Sequence, residues 1–134
     1  MENAKMTKAE AVAKMTEWAD WLEVPSEGED WDAAIEVLSL PIINGRLDFN
    51  KDDETFSLLL KAPIELQSGN KELLTIRELS INEKRCVERY KDSEKISMVE
   101  AIYAKSCGIS LAEASRIKGR DFTVIATVNS VFFS

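Results

Sequence analysis

The first apolar positions of the chain recur at the spacing of an amphipathic helix. Charged side chains such as Lys8 and Glu17 fall on the other faces, and this periodicity predicts a helix over residues 3–24. Pro25 ends the helix, since proline cannot continue one. The apolar face comprises Val12, Met15, Trp18, Ala19 and Leu22.

A second, shorter helix is predicted after the polar turn at residues 26–30. Asp30 is a suitable N-cap, and Trp31 and Leu38 are two helical turns apart. We expect this helix to stop before Pro41, because the residue before a proline avoids helical backbone angles.

Residues 47–66 alternate apolar and polar positions, a pattern that predicts strands rather than helices. A polar turn at residues 50–54 separates a short first strand from a longer second strand that starts at Phe56. Pro63 assigns the second strand to an edge of the sheet, because proline has no N–H to offer a further neighbouring strand.

The next signal is a loop at residues 67–71, where Gly69 and Asn70 tolerate positive φ. Apolar residues resume beyond it, at Leu74. The pattern predicts an antiparallel β-hairpin over about residues 56–79.

Helices follow the hairpin, and their starts are marked by capping signals. Ser80 and Glu83 have the spacing of a capping box, in which the hydroxyl and the carboxylate each bond a free backbone N–H. This predicts a helix that continues to about Tyr90. Ser110 and Glu113 have the same spacing and open another helix.

Two further helices are predicted around that one. Ser93 is the expected N-cap of a helix that ends at Gly108, a residue that readily adopts the left-handed C-cap. The helix after Gly108 is expected to end at Gly119, and Asp121 to cap the last one, residues 122–133. Its Thr, Val and Ile content would also suit a strand, but the Asp cap and the spacing of its apolar residues favour a helix.

These elements predict an α+β fold, a mostly α-helical single domain in which a small antiparallel β-hairpin precedes a C-terminal cluster of three to four helices. We divide the chain into an N-terminal amphipathic helix and turn, residues 1–31, and a main domain, residues 32–134, with its helices over about residues 81–133. The 134 residues, 45% of them hydrophobic and 31% charged, suffice for one soluble domain with its own core.

The charge balance disfavours acidic partners. The formal net charge is −7 and the pI about 4.7, whereas a grip on nucleic acid needs clustered Lys and Arg. Residues 1–31 hold 8 acidic and 3 basic side chains. No apolar run approaches the roughly 18 residues that span a bilayer, and no basic and then apolar leader is visible. We therefore expect no nucleic acid or membrane partner and a cytoplasmic location.

Residue types that commonly carry catalysis are scarce. The chain contains no histidine, which removes Ser-His and Cys-His pairs and the usual zinc ligand. Its two cysteines, Cys86 and Cys107, are expected to be buried reduced thiols. The densest carboxylate cluster, residues 52–54, is predicted to be a solvated turn. We expect no catalytic residue, cofactor or metal, and hence no enzyme activity.

Four segments of the second half carry a resemblance. They are FSLLLKAPIEL (56–66), LLTIRELS (73–80), YAKSCGISLAE (103–113) and GRDF (119–122). The order of these segments, and the loops and helix caps that separate them, resemble the tail assembly chaperones of long-tailed, siphovirus-like bacteriophages. The resemblance covers roughly residues 56–134, while the first 50 or so residues depart from the family pattern and leave the role of the N-terminal helix unassigned.

The resemblance implies an interaction protein that binds the tape measure protein, keeps it soluble and helps to recruit tail tube protein, and that is absent from the mature virion. It also implies homo-oligomers, in rings or spirals, in the cytoplasm of the infected bacterial host. A programmed ribosomal frameshift is common in the family, and a T-rich slippery stretch would encode Phe132 and Phe133.

A chaperone of this kind needs adaptable apolar surface. The predicted partner contacts are Trp18, Trp21, Trp31, Phe122, Phe132 and Phe133. Each of the tryptophans also suits a core position. Because Trp18 and Trp21 are three residues apart, both rings cannot be fully buried against one core.

The alternative is a helix-turn-helix DNA-binding regulator. Gly108 and Ser110 supply the tight turn and the start of a second helix. That helix, residues 110–118, is the weak point of the interpretation, because Arg116 and Lys118 are its only basic residues.

Overall fold

A computed structural model describes residues 6–65, 69–85, 88 and 90–133, and of residues 92, 96 and 97 the backbone alone. The described residues form six helices and a three-stranded antiparallel sheet, which confirms the predicted α+β class. In chain order the elements are α1 (Lys8–Leu22), α2 (Glu29–Ile43), β1 (Leu47–Asn50), β2 (Thr55–Ile64), β3 (Lys71–Ile76), α3 (Ile81–Lys84), α4 (Lys95–Cys107), α5 (Leu111–Ala114) and α6 (Gly119–Phe132).

α1 begins at a complete capping box. The Thr7 hydroxyl accepts from the Glu10 N–H at 3.1 Å, and the Glu10 carboxylate accepts from the Thr7 N–H at 2.9 Å. Met15 and Trp18 are buried on the predicted apolar face. The N-terminal helix is therefore confirmed over Lys8–Leu22, but it starts after Thr7 and ends before Glu23, a C-cap with a φ of 58°, and residues 3–5 of the prediction lie outside the described residues.

α2 differs from its prediction at both ends. Its N-cap is Gly28, so Asp30 lies inside the first turn, where a carboxylate is still favoured by the positive end of the helix dipole. α2 also continues through Pro41, where we expected it to stop. Pro41 and Ile42 are buried, and their packing offsets the hydrogen bond that proline cannot make. The domain boundary predicted at residue 31 consequently falls inside α2.

The sheet has one buried and one open face. Its strand order is β1-β2-β3, and both neighbouring pairs are antiparallel. Phe56 and Leu58 on β2 are fully buried against the helices. Leu59 and Leu73 pair across β2 and β3 on the other face and are 42% and 56% exposed.

Pro63 does not mark an edge strand, because β2 lies between the other two. The paired register of β1 ends at Leu58, so Pro63 lies in the part of β2 that β1 does not reach. Its pairing with β3 is irregular between Leu59 and Ile64. The missing N–H therefore falls where no ladder bond to β1 is required.

The C-terminal helices begin where the capping boxes predict, but they are short. The Ser80 and Ser110 hydroxyls each accept from the N–H of the glutamate three residues later, at 3.1 Å. α3 then ends at Lys84 rather than near Tyr90, and α5 is a single turn that ends at Ala114.

Of the remaining helix boundaries, one is confirmed and three are wrong. Gly108 has a φ of 65° and ends α4 as predicted. Ser93 lies inside a short 3-10 turn, and the N-cap of α4 is Glu94. Gly119 begins α6 instead of ending α5, so Asp121 sits within the first turn of α6 rather than at its N-cap.

The core lies between the buried face of the sheet and α1, α2 and α6. The Phe56 ring lies 5.5 Å from the Trp18 ring and 5.0 Å from the Phe132 ring. α4 is attached to this core through the end of β3. The buried Ser106 hydroxyl donates to the Arg77 carbonyl at 2.8 Å, and the Ser106 carbonyl accepts from the Arg77 N–H at 3.0 Å.

Candidate functional site

Four of the six predicted contact residues lie in the core. Trp18, Trp31, Phe132 and Phe133 have exposed fractions of 2%, 5%, 3% and 4%. Their rings surround Phe56 or one another, and edge-on ring contacts of this kind stabilise a core. In this conformation none of the four offers a surface to another chain.

Trp21 and Phe122 keep partial exposure. The Trp21 ring is stacked on Phe49 at 6.0 Å, and the Lys51 ammonium lies 4.7 Å from the centre of the same ring. Phe122 meets Tyr103 edge-on at 5.3 Å. Phe122 lines two open grooves.

The first groove, the α2–α6 groove, has a volume of about 370 Å³. Apolar and small side chains from both helices line it, with Tyr103 of α4 at one side. Its lining comprises Asp30, Ala33, Ala34, Val37, Tyr103, Phe122, Thr123, Ala126, Thr127, Ser130 and Val131.

The threonine hydroxyls in the lining of this groove already have hydrogen-bond acceptors. The Thr123 hydroxyl donates to the Gly119 carbonyl at 2.8 Å, and the Thr127 hydroxyl donates to the Thr123 carbonyl at 2.7 Å. Both hydroxyls are thus satisfied within α6. A partner that covers Thr123 and Thr127 therefore need not supply acceptors for their hydroxyls.

The second groove, the α4–α6 groove, has a volume of about 520 Å³ and lies on the other side of Phe122. Val99, Ile117 and Phe122 supply its apolar surface, while Lys95 and Glu100 place one charge of each sign beside it. We call the two grooves together the Phe122 surface.

Asp121 fixes the position of this surface. Its carboxylate is fully buried and accepts from the N–H groups of Lys61 and Ala62, both at 3.0 Å, and from Arg46 Nη1 at 3.3 Å. The carboxylate therefore ties the first turn of α6 to the part of β2 that β1 leaves unpaired. Phe122, the next residue, points to the outside.

The α2 rim of the α2–α6 groove carries Asp30 and belongs to a strongly acidic segment of the chain. Residues 23–45 contain six carboxylates and no Lys or Arg, so they account for six of the seven net negative charges. Among the described residues, the one ion pair formed by this segment joins Glu36 to Lys8 at 3.1 Å, and it is exposed. Asp30 lines the groove itself.

Neither Cys107 nor the carboxylates of residues 52–54 line the Phe122 surface. Burial raises the pKa of the Cys107 thiol to about 12, so this thiol stays protonated at neutral pH. Cys86 lies outside the described residues. Residues 52–54 form an exposed turn, as predicted. Within the described ranges, no group of three or more His, Cys, Asp or Glu side chains is placed to hold a metal ion.

The second helix of the helix-turn-helix interpretation is shorter than the predicted residues 110–118. α5 has four residues, too few to lie along a DNA major groove and present side chains to several bases. Arg116, one of the two basic residues of the expected recognition segment, donates instead to the Glu65 carbonyl at 3.0 Å.

The sequence pointed to Phe122 but not to the grooves beside it. Ala33 and Thr123 are on different helices, and their approach depends on how α2 and α6 pack. The i to i+4 spacing of Thr123 and Thr127 was the available signal for hydroxyls that bond their own helix.

Two findings complete the description. In the part of the chain that the structure describes, every helix is too short or too polar to cross a bilayer. Comparison with protein-family models, with curated proteins and with solved structures finds nothing that matches this chain.

Proposed function

We propose that this protein is a tail assembly chaperone of a long-tailed bacteriophage. It binds the tape measure protein during assembly, keeps that protein soluble, helps to recruit tail tube subunits and is absent from the mature virion. The observation that carries the proposal is the Phe122 surface, an apolar pair of grooves on a chain with a net charge of −7.

The order of elements supports the proposal. β2, the Gly69 loop, β3, a capped α3, α4 ending at Gly108, α5 and α6 follow one another in the arrangement on which the sequence resemblance rests.

The chemistry of the surface supports it as well. A holdase covers apolar stripes of its client, and it needs charge to stay in solution while doing so. The Phe122 surface supplies accessible apolar area, and the acidic segment beside it keeps the free protein soluble. No reaction is required for this work, so we propose that the protein is not an enzyme and uses no cofactor.

The remaining parts of the proposal concern assembly. We propose that the chain forms homo-oligomers, as rings or spirals around an elongated client, in the cytoplasm of the infected host. Light scattering coupled to size-exclusion chromatography measures the mass of the free protein, and a monomer at every concentration would contradict this part.

Co-expression tests the function. The tape measure protein from the same phage genome is expressed alone, with this protein, and with its Phe122→Ala variant. We expect the wild type to shift the tape measure protein into the soluble fraction and Phe122→Ala to do so much less, because it removes apolar area from both grooves. Leu73→Ser is the matched control, since Leu73 is an exposed apolar residue on the open sheet face.

The outcomes separate clearly. If the wild type leaves the tape measure protein insoluble, the proposal fails. If Leu73→Ser abolishes the effect and Phe122→Ala does not, the client binds elsewhere than at the Phe122 surface. Circular dichroism of each purified variant establishes that it is folded.

A further inference from the structure

We infer that the α2–α6 groove is a docking site for an amphipathic helix whose apolar stripe is flanked by lysine or arginine. The inference rests on the proposed function only in taking the client to be the tape measure protein. The shape, chemistry and charge of the groove carry the rest.

The shape of the groove fits a helix. Its lining on α6 runs from Phe122 to Val131, which is about 13 Å at 1.5 Å per residue, or two to three helical turns. Ala33 and Ala126 lie on the two walls, and such small side chains let a third helix approach closely.

The hydrogen-bonding state of the lining also favours a helix. A strand or loop would bring free backbone N–H and C=O groups that need partners once they are covered. The Thr123 and Thr127 hydroxyls already donate within α6, so of the lining hydroxyls those of Tyr103 and Ser130 alone remain to pair with such groups. A helix satisfies its own backbone and needs only apolar contact from this surface.

The charge of the rim determines which residues can flank the apolar stripe of that helix. Residues 23–45 carry six negative charges and no positive ones. Asp30 lines the groove, and Asp32 is exposed on the same helix. Lysine or arginine beside the apolar stripe of the client would pair with Asp30 and be attracted by the other carboxylates of this segment, whereas acidic flanks would be repelled. The α4–α6 groove, with Lys95 and Glu100 beside it, makes no such selection.

Two labelled peptides of about 16 residues test the inference in solution, a length at which an isolated helix begins to be stable. They share one leucine and alanine stripe, and its flanks are lysine in one peptide and glutamate in the other. Fluorescence anisotropy against the full chain measures binding. We expect the lysine peptide to bind, more weakly at about 0.15 M salt than at low salt, and the glutamate peptide not to bind.

Variants locate the site. Ala33→Gln places a larger neutral side chain in the groove, at an exposed helical position. We expect it to lower the affinity for the lysine peptide about tenfold. The rim double variant Asp30→Asn/Asp32→Asn is expected to lower the affinity for the lysine peptide about fivefold. Asp52→Asn/Glu72→Gln changes the net charge equally at two exposed positions, one in the turn after β1 and one on β3, and it is expected to leave the affinity unchanged.

Three results would overturn the inference: equal binding of both peptides, no effect of Ala33→Gln, or equal effects of the two double variants. Co-expression separates this failure from that of the function. If Ala33→Gln and the rim variant keep the tape measure protein as soluble as the wild type does, the function stands and the groove assignment fails. If the wild type binds the lysine peptide but never solubilises the tape measure protein, the groove assignment stands and the function fails.

Discussion

At the scale of single residues, Asp121 is the buried carboxylate that joins α6 to the sheet. It is fully buried, yet it accepts from three donors on two other segments of the chain. Two of those donors are backbone N–H groups of β2 that have no strand beside them on that edge. The carboxylate thus supplies the acceptors that a neighbouring strand would supply if β1 were longer, and it places Phe122 on the surface.

Replacing Asp121 by alanine is expected to destabilise the protein by about 3 kcal/mol. The change removes the acceptor of the Lys61 and Ala62 N–H groups, and it leaves the partly buried Arg46 guanidinium without its carboxylate partner. Urea unfolding followed by circular dichroism measures the free energy of unfolding.

Asp20→Ala is the control for this change. Asp20 is an exposed aspartate on α1, and its replacement should alter stability by no more than about 0.5 kcal/mol. Equal losses in the two variants would show that the buried carboxylate is not an anchor.

At the scale of elements, helix starts were predictable where the signal is local. The boxes at Ser80 and Ser110 need only two side chains three residues apart, and both form as expected. Helix ends depend on packing. α2 passes through Pro41 because Leu38 and Ile42 are held in the core, and nothing within the segment itself indicates this.

The same distinction applies to the candidate site. Phe122 was singled out by its type, and for Trp18 and Phe132 the sequence left both a core role and a contact role open, because an aromatic residue on an amphipathic face suits a core as well as a partner. Asp121 had the residue type of an N-cap. Its carboxylate accepts from the Lys61 N–H of β2, 60 residues away in sequence, and local sequence patterns cannot predict such a tertiary contact.

Alanine at two glycines that border the C-terminal helices should change the free energy of unfolding in opposite directions. Gly108 ends α4 at a φ of 65°, so Gly108→Ala is expected to cost about 1 kcal/mol. Gly119 is the first residue of α6 and does not have positive φ, so Gly119→Ala is expected to stabilise the protein by about 0.5 kcal/mol.

No atom lies within 4 Å of a Cβ added at either glycine, so backbone conformation alone decides the two signs. Thermal and urea unfolding of both variants provide the measurement. Destabilisation by both substitutions would contradict the assignment of Gly119 to the helix.

At the scale of the whole molecule, three glutamates link stability to pH. Glu10, Glu83 and Glu113 each accept a backbone N–H in a capping box, and these bonds contribute to lowering their pKa values. The hydrogen bond from Arg77 is the largest cause for Glu83, whose pKa falls from 4.5 to about 2.

Acid is therefore expected to weaken the fold. A carboxylate whose folded pKa lies below its unfolded value stabilises the protein above the unfolded pKa, and this contribution is lost as the pH falls toward the folded pKa. For Glu83 the loss occurs between about pH 4.5 and pH 2. Glu83→Gln keeps the capping geometry but removes the charge.

Urea midpoints of the wild type and Glu83→Gln, measured across this range, test the expectation. The difference between the two proteins should be largest near neutral pH and should shrink below about pH 4.5. A difference that does not depend on pH would contradict it. In an Arg77→Gln background, an NMR titration should show a higher pKa for Glu83.

The uneven placement of charge also acts before any contact is made. With six of its seven net negative charges in residues 23–45, the molecule is an electric dipole whose negative end is the α2 side. A cationic segment that diffuses past is turned toward that side by the long-range field, and the field fades as ions screen it. Encounter would be oriented and fast in dilute buffer, so ionic strength would govern how quickly complexes form as well as how long they last.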